Sequence, residues 1–109
     1  MMSNVLHQKL AAGSWSDLSL MAQMANIGSE VGRAAKAQYT DKKRFKNAAD
    51  RALDLFDLTL KDARWRGRRL EIARARELFC AAIMNDDSYV TSLRDLEHYF
   101  MQFAAAIRH

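Results

Sequence analysis

Apolar residues recur at helical spacing along four stretches of this 109-residue chain. Within each stretch they stand three or four residues apart, the period that puts them on one face of an α-helix. These stretches predict helices at about 16–38, 41–61, 68–84 and 89–107. Proline is absent and glycine occurs only four times, which favours helix nearly throughout. The predicted fold class is therefore all-α.

The ends of the predicted helices follow from capping residues. Ser14 or Ser16 is expected to cap the first helix, and Thr40 or Asp41 the second, because their side chains accept hydrogen bonds from helix N-termini. Residues 85–88, Asn-Asp-Asp-Ser, are expected to form the last turn. The residues predicted on the inner faces are Leu20, Met24, Ile27 and Val31; Phe45, Ala49, Ala52, Leu53, Phe56 and Leu60; Ile72, Phe79 and Ile83; and Leu93, Leu96, Phe100, Phe103 and Ile107.

Four helices of similar length joined by short turns predict an antiparallel up-down four-helix bundle with crossing angles near 20°. The bundle should occupy residues 14–109, and residues 1–13 should form a flexible N-terminal arm. Phe56, Phe79 and Phe100 each lie centrally on a stripe. We therefore expect these three rings to be buried against one another.

Gly28 and Gly32 stand four residues apart inside the first predicted helix, beside its apolar stripe. Glycine inside a helix costs about 1 kcal/mol relative to alanine, so a pair at this spacing needs a reason. Two interpretations remain open. Either another backbone passes close to this face, or the helix is locally weak.

Arginine is concentrated in one segment: six arginines fall within the thirteen residues from Arg64 to Arg76. The segment runs from a predicted turn into the first half of the third helix. Backbone amides at a helix N-terminus already carry partial positive charge, so arginines gathered there favour an external anion. The chain as a whole has a formal net charge of +4 and a pI near 9.5, which also attracts acidic partners.

A second basic cluster, KKRFK, occupies residues 42–46 at the first turn. In an up-down bundle the two basic clusters lie at opposite ends, which suits an extended polyanion or a ring of subunits. Trp65 either stacks on a base or a guanidinium, or plugs the end of the bundle. The residues predicted to bind nucleic acid are Arg64, Trp65, Arg66, Arg68, Arg69, Arg76, Lys42, Lys43 and Lys46.

Arg69 and Arg76 also fall on the inner stripe of the third helix. Either they flank the core and extend outward, or they reach acidic groups on the second helix. Asp50, Asp54 and Asp57 share one face of that second helix. Metal sites in helical bundles use inward-facing glutamate and histidine sets, which this chain lacks. We expect no metal and no cofactor, and an acidic face that is solvated or paired with basic residues.

Cys80 is the only cysteine, so an intrachain disulfide and a paired-cysteine zinc site are excluded. The N-terminal stretch does not resemble a secretory signal, because residues 7–9, His-Gln-Lys, interrupt it after two apolar residues. No run approaches the ~20 apolar residues that span a bilayer. We therefore expect a cytoplasmic protein without a membrane partner.

The stretch NIGSEVGR, residues 26–33, resembles the NIxxxxGR motif of small four-helix proteins encoded by intervening sequences in bacterial 23S ribosomal RNA genes. KKRF at 42–45 is similar to KKEF in that family. Eight residues separate Arg33 from Lys42, where the family has fewer, and the proline before its Asn-Ile is absent. The accessory variability proteins of diversity-generating retroelements are similar in fold. The resemblance implies a basic pentamer that binds nucleic acid and a reverse transcriptase.

The main hypothesis is a non-enzymatic accessory protein that binds RNA or DNA as a homo-oligomer. A first alternative is a structural or protein-interaction module whose arginines pair with acidic partner faces. A second is a ribonuclease toxin like those of the HEPN class, since Arg94 and His98 resemble its Arg…His motif, although three residues separate them here instead of four to six. Surplus apolar residues favour an oligomer: Leu18, Met21, Leu55, Leu58, Leu70, Leu78, Tyr99 and Met101.

Overall fold

The computed structural model of the protein describes residues 15–84 and 91–107. This part of the chain contains helices and no strand, which confirms the all-α prediction. The predicted arm at residues 1–13 and the predicted turn at 85–88 lie outside the described residues. The four α-helices are α1 (Leu20–Ala37), α2 (Lys42–Lys61), α3 (Arg69–Ile83) and α4 (Leu93–Ile107), and a 3₁₀ helix (Ala63–Arg68) stands between α2 and α3.

The helices form a four-helix bundle. Helix α1 packs along both α2 and α4, and α3 packs more sparsely against α2 and α4. Each helix therefore neighbours the helices before and after it in the chain, and α4 closes the ring against α1. The 20-residue α2 is about 30 Å long, so the turns before and after it lie at opposite ends of the bundle.

Helix α1 begins later than predicted. Ser19, not Ser16, caps it: the Ser19 backbone is extended, and its hydroxyl accepts a hydrogen bond of 3.2 Å from the Ala22 amide. Residues 15–18 form a turn instead, because the Trp15 ring is buried and its indole N–H bonds to the Thr59 hydroxyl at 3.1 Å. A tertiary contact thus overrides the local capping preference. Ser14 lies outside the described residues.

The starts of α2 and α4 also depend on their caps. Asp41 caps α2 as predicted, and its carboxylate accepts from the Arg44 amide at 3.0 Å. Helix α4 begins at Leu93 and not near residue 89. The Ser92 amide donates to the Asp95 carboxylate at 3.0 Å, and the Asp95 amide donates to the Ser92 hydroxyl at 3.1 Å. This reciprocal capping box fixes the start of α4.

The glycine pair of α1 marks a close approach of helix α4. A Cβ atom added at Gly28 would lie 2.5 Å from the Cβ of Phe100, and one added at Gly32 would lie 2.7 Å from the Glu97 carboxylate. Of the two interpretations, the structure supports close approach. The absence of side chains at these two positions lets α4 pack tightly on α1.

The three central phenylalanines are buried together as predicted. The Phe56 ring lies 5.9 Å from the ring of Phe79 and 5.9 Å from that of Phe100, measured between centroids. Ile107 was predicted inside but is exposed, since it is the last residue of its helix. The buried face of α2 is rotated from the predicted one: besides the predicted Ala49, Ala52 and Phe56, it buries Ala48, Leu55 and Thr59. Phe45, Leu53 and Leu60, which were predicted inside, are therefore only partly buried. Ile83 of α3 was also predicted inside and is partly buried.

The apolar residues that were expected to be surplus mostly belong to the core. Leu55 is buried, and five more are partly buried against the core: Leu18, Met21, Leu58, Leu78 and Tyr99. Leu70 and Met101 remain exposed, at 89% and 60%. The prediction of a large apolar surplus was therefore wrong for six of its eight residues, because partly buried side chains on several helices flank the central core.

Candidate nucleic-acid interface

The arginine segment begins at a sharp turn that Asp62 organises. Helix α2 ends at Lys61, and the Asp62 amide donates to the Thr59 carbonyl at 3.1 Å. The Asp62 carboxylate then accepts from the Arg64 amide at 3.0 Å, which starts the 3₁₀ helix. One residue therefore connects two helices, through its backbone amide and its side chain, and fixes the position of the first arginines.

A buried glutamine holds this turn against the bundle. Gln23 of α1 is fully buried, and its amide nitrogen donates to the Trp15 carbonyl at 2.9 Å and to the Asp62 carboxylate at 3.3 Å. Its amide oxygen accepts from the Trp65 indole at 2.9 Å. Among the described residues no buried side-chain nitrogen or oxygen lacks a partner. A fully satisfied network of this kind gives the turn one defined conformation.

The Arg64 side chain makes several contacts within the protein. Its guanidinium donates to the Asp62 carboxylate at 2.6 to 3.1 Å and to the Leu18 carbonyl at 2.9 Å. Its central carbon lies 4.7 Å from the centre of the Trp65 ring, in the range of a cation–π contact. These hydrogen bonds from Arg64 lower the pKa of Asp62 to about 2. Arg64 therefore helps to fix the turn.

Trp65 combines two of the interpretations that the sequence left open. The ring is partly buried against the core and its indole bonds to Gln23, so it plugs this end of the bundle. Arg64 also stacks on it, as one interpretation predicted. Stacking on a nucleic-acid base would need the part of the ring that is still exposed.

The other arginines of the segment divide into two groups. Arg76 reaches Asp57 of α2 at 3.0 Å, which confirms one of the two alternatives for it, and Arg68 lies 3.5 Å from Glu71. The remaining three are exposed, and within residues 15–84 and 91–107 their side chains form no hydrogen bond or ion pair. We call these three, Arg66, Arg69 and Arg74, the arginine surface. Arg69 thus extends outward.

Arg74 was not among the residues predicted to bind nucleic acid. It lies on the exposed side of α3, as do Arg69 and the 89%-exposed Leu70 between them. Helix period was the signal that could have found it, because buried Ile72, Ala75 and Phe79 place residue 74 on the opposite face. Sequence reasoning also missed Gln23, whose partners are distant in the chain, and Asp62, which bonds to Arg64 nearby and to the distant Gln23.

The second basic cluster lies at the other end of the bundle, as predicted. Lys42 and Lys43 are exposed in the first turn of α2, and Lys46 pairs with Asp50 at 2.7 Å. The length of α2, about 30 Å, separates these lysines from the arginine surface. The predicted nucleic-acid-binding residues therefore form two separate surfaces.

The residues considered for catalysis and for metal binding lie on α4 and α2, respectively. Arg94 pairs with Glu97 at 2.9 Å, and His98 is exposed on the same helix. Asp50 and Asp57 pair with basic residues, and no cluster of three potential metal ligands occurs among the described residues. None of the described helices combines the length and apolar character needed to cross a membrane.

Comparison of the chain with protein-family models, curated proteins and solved structures finds no match. The resemblance at residues 26–33 and 42–45 therefore stays a prediction that depends on those residues alone.

Proposed function

We propose that this protein is a non-enzymatic accessory protein that binds RNA or DNA through the arginine surface. The observation that carries the proposal is that Arg66, Arg69 and Arg74 are exposed and form no ion pair with any described residue. An unpaired guanidinium binds a phosphate without first breaking an internal pair, and its planar fork matches phosphate oxygens.

The rigid turn supports the same proposal. Arg66 belongs to the 3₁₀ helix that Asp62, Gln23 and Trp65 hold in place, and Arg69 begins α3 directly after it. Side chains on an ordered backbone lose less conformational freedom on binding than side chains on a mobile loop. Three cations presented in this way suit a polyanion with regularly spaced charges.

A homo-oligomer is part of the proposal, since several copies would place arginine surfaces side by side. In the part of the chain that the structure describes, five large apolar side chains are more than half exposed and available for subunit contacts: Tyr39, Leu70, Met84, Met101 and Ile107. The resemblance at residues 26–33 extends the proposal to a pentamer and to a reverse transcriptase as a protein partner.

The test measures affinity for labelled single-stranded RNA and DNA over a range of salt concentrations. Replacing Arg66, Arg69 and Arg74 together by glutamine should flatten the slope of log K against log salt by roughly 0.7 for each phosphate that the variant no longer neutralises. The matched control replaces Lys42, Lys43 and Lys46 by glutamine, which removes the same charge at the other end. An unchanged slope in the folded arginine variant, or equal effects of the two variants, would contradict the proposal.

Leu70 favours a second candidate function, a protein-interaction module. This leucine is 89% exposed between residues 69 and 71, and an apolar side chain contributes nothing to a phosphate contact. Leu70→Ser should leave nucleic-acid affinity unchanged if the surface binds only phosphates. Loss of assembly in light scattering, with no nucleic-acid binding by the original protein, would instead support the interaction module.

A further inference from the structure

A basic cleft opens at the end of the bundle opposite the arginine surface, between the C-terminal half of α1 and the N-terminal half of α2. It has a volume of about 790 Å³, within the range of small-molecule sites. The residues that give it its chemistry are Arg33, Lys36, Asp41, Arg44, Asn47 and Arg51. Four of these six side chains are cations, and the predicted Lys42, Lys43 and Lys46 are not among them.

Two of the cations are held in place by one buried carboxylate. Glu30 is 8% exposed, and its two oxygens accept from Arg33 at 2.5 Å and from the Arg51 Nε at 3.0 Å. Arg51 makes this contact through Nε alone, so both of its terminal nitrogens form no other hydrogen bond with the described residues. A guanidinium has five N–H donors, and Glu30 therefore orients both arginines without using up their donors.

The charges of the cleft leave a clear excess. Arg33, Lys36, Arg44 and Arg51 supply four positive charges, whereas Glu30 and Asp41 supply two negative ones. Asp41 caps α2, where it accepts from the Arg44 amide at 3.0 Å, and its second oxygen lies 3.4 Å from the Arg44 Nε in an exposed ion pair. Two positive charges in excess, oriented guanidinium forks and the Asn47 amide favour an anion with several oxygen acceptors. Phosphate groups have this chemistry.

We propose that this cleft binds phosphate groups, with Arg33 and Arg51 as oriented donors and with Lys36 and Arg44 supplying further charge. The inference does not rest on the proposed function, because no residue of the arginine surface contributes to the cleft. The same chemistry is offered by free pyrophosphate and by the phosphates of a nucleotide, so both serve as probes.

Isothermal titration with pyrophosphate and, separately, with ATP at an ionic strength of about 0.15 M, where the Debye length is about 8 Å, tests the proposal. Lys36→Gln combined with Arg44→Gln should weaken binding of the better probe about tenfold or more, since the variant cannot form their charge-assisted hydrogen bonds. The control combines Lys42→Gln with Lys43→Gln, which removes equal charge from the same turn outside the cleft. It should change affinity less than about twofold, since exposed charges outside the site are screened. If ATP binds more tightly, the source is a nucleotide, and if pyrophosphate does, it is the phosphate group alone.

Arg51→Lys tests geometry at constant charge. Lysine keeps the positive charge beside Glu30 but lacks the planar guanidinium fork, so the affinity for pyrophosphate and ATP should fall. The thermal midpoint of unfolding is measured on the same variant to confirm that it is folded. No heat of binding with millimolar pyrophosphate or ATP would overturn the proposal. Equal losses of affinity in the Lys36/Arg44 and Lys42/Lys43 variants would also overturn it, because they would show general charge attraction. Neither result depends on whether the arginine surface binds a polynucleotide.

Discussion

Gln23 and Glu30 lie seven residues, or about two helical turns, apart on the buried face of α1, and each holds one basic end of the protein in place. Gln23 bonds to Asp62 and Trp65 at the arginine turn. Glu30 bonds to Arg33 and Arg51 at the cleft. One helix thus carries the polar supports of both surfaces, inside a stripe that is otherwise apolar.

Gln23→Leu should destabilise the protein by about 1–3 kcal/mol, the cost of leaving buried polar partners unsatisfied. The groups that lose their partner are the Trp15 carbonyl and the Trp65 indole. Chemical denaturation followed by tryptophan fluorescence measures the change in unfolding free energy. Gln102→Leu is the control, since Gln102 is exposed on α4. Equal stability of the two variants would show that the network does not stabilise the turn.

The two glycines of α1 should respond to alanine with opposite signs. At Gly28 the new Cβ would lie 2.5 Å from the Phe100 Cβ, an atom fixed next to the α4 backbone, so overpacking should cost about 1–3 kcal/mol. At Gly32 the obstacle is the Glu97 carboxylate, the end of a flexible side chain that can turn away.

Gly32→Ala should therefore be neutral or stabilising by up to about 1 kcal/mol, the difference in helix propensity between glycine and alanine. The exposed pair that Glu97 forms with Arg94 contributes little that could be removed. Thermal unfolding by circular dichroism compares the two variants with the original chain. A midpoint that rises for Gly28→Ala would show that α4 does not pack on α1 as described.

Asp62 should make stability depend on pH in the acid range. Hydrogen bonds from Arg64 lower its pKa from 3.8 to about 2 in the folded state. The folded state therefore holds this carboxylate ionised more strongly than the unfolded state does. Its contribution is complete above about pH 4 and disappears as the pH falls towards 2.

Asp62→Asn removes this ionisable carboxylate. Above pH 4 the variant should therefore have a lower free energy of unfolding than the original chain, and between pH 4 and 2 its free energy of unfolding should fall less. Urea unfolding at a series of pH values measures this difference. Asp50→Asn serves as the control for a surface carboxylate paired with a lysine. Parallel stability curves for the original chain and Asp62→Asn would contradict the assigned role of Arg64.

The sequence predicts the helices well because apolar spacing is a local property. Ile27, Phe56 and Phe100 could be placed inside from the residues three and four positions away. Gln23 could not be assigned a role in this way, because its partners Trp65 and Asp62 lie 42 and 39 residues along the chain. A polar residue on an apolar stripe indicates a buried partner without identifying it.

The candidate interface shows the same limit. Six arginines clustered in sequence predict an anion-binding surface, but their pairing is tertiary: Arg64 contacts Leu18, and Arg76 contacts Asp57 on another helix. Which arginines remain for a ligand could only be determined once these partners were in place. The basic cleft escaped prediction because Arg33 and Arg51 lie on different helices and meet only through Glu30.

Arg64 and Arg69 should therefore have separable effects, although they stand five residues apart in the same segment. Arg64→Gln removes the bonds to Asp62 and Leu18 and the stacking on Trp65, so the thermal midpoint should fall. Arg69 forms no side-chain bond within the described residues, so Arg69→Gln should leave the midpoint unchanged. If the arginine surface binds nucleic acid, Arg69→Gln should flatten the salt dependence of binding by roughly 0.7 for single strands at full stability, whereas Arg64→Gln should leave the salt slope unchanged because Arg64 contacts no phosphate. Thermal unfolding and salt-dependent fluorescence anisotropy on the same samples separate the two effects. A folded Arg64→Gln protein with an unchanged midpoint and a flattened salt slope would reverse the assignment and make Arg64 the phosphate ligand.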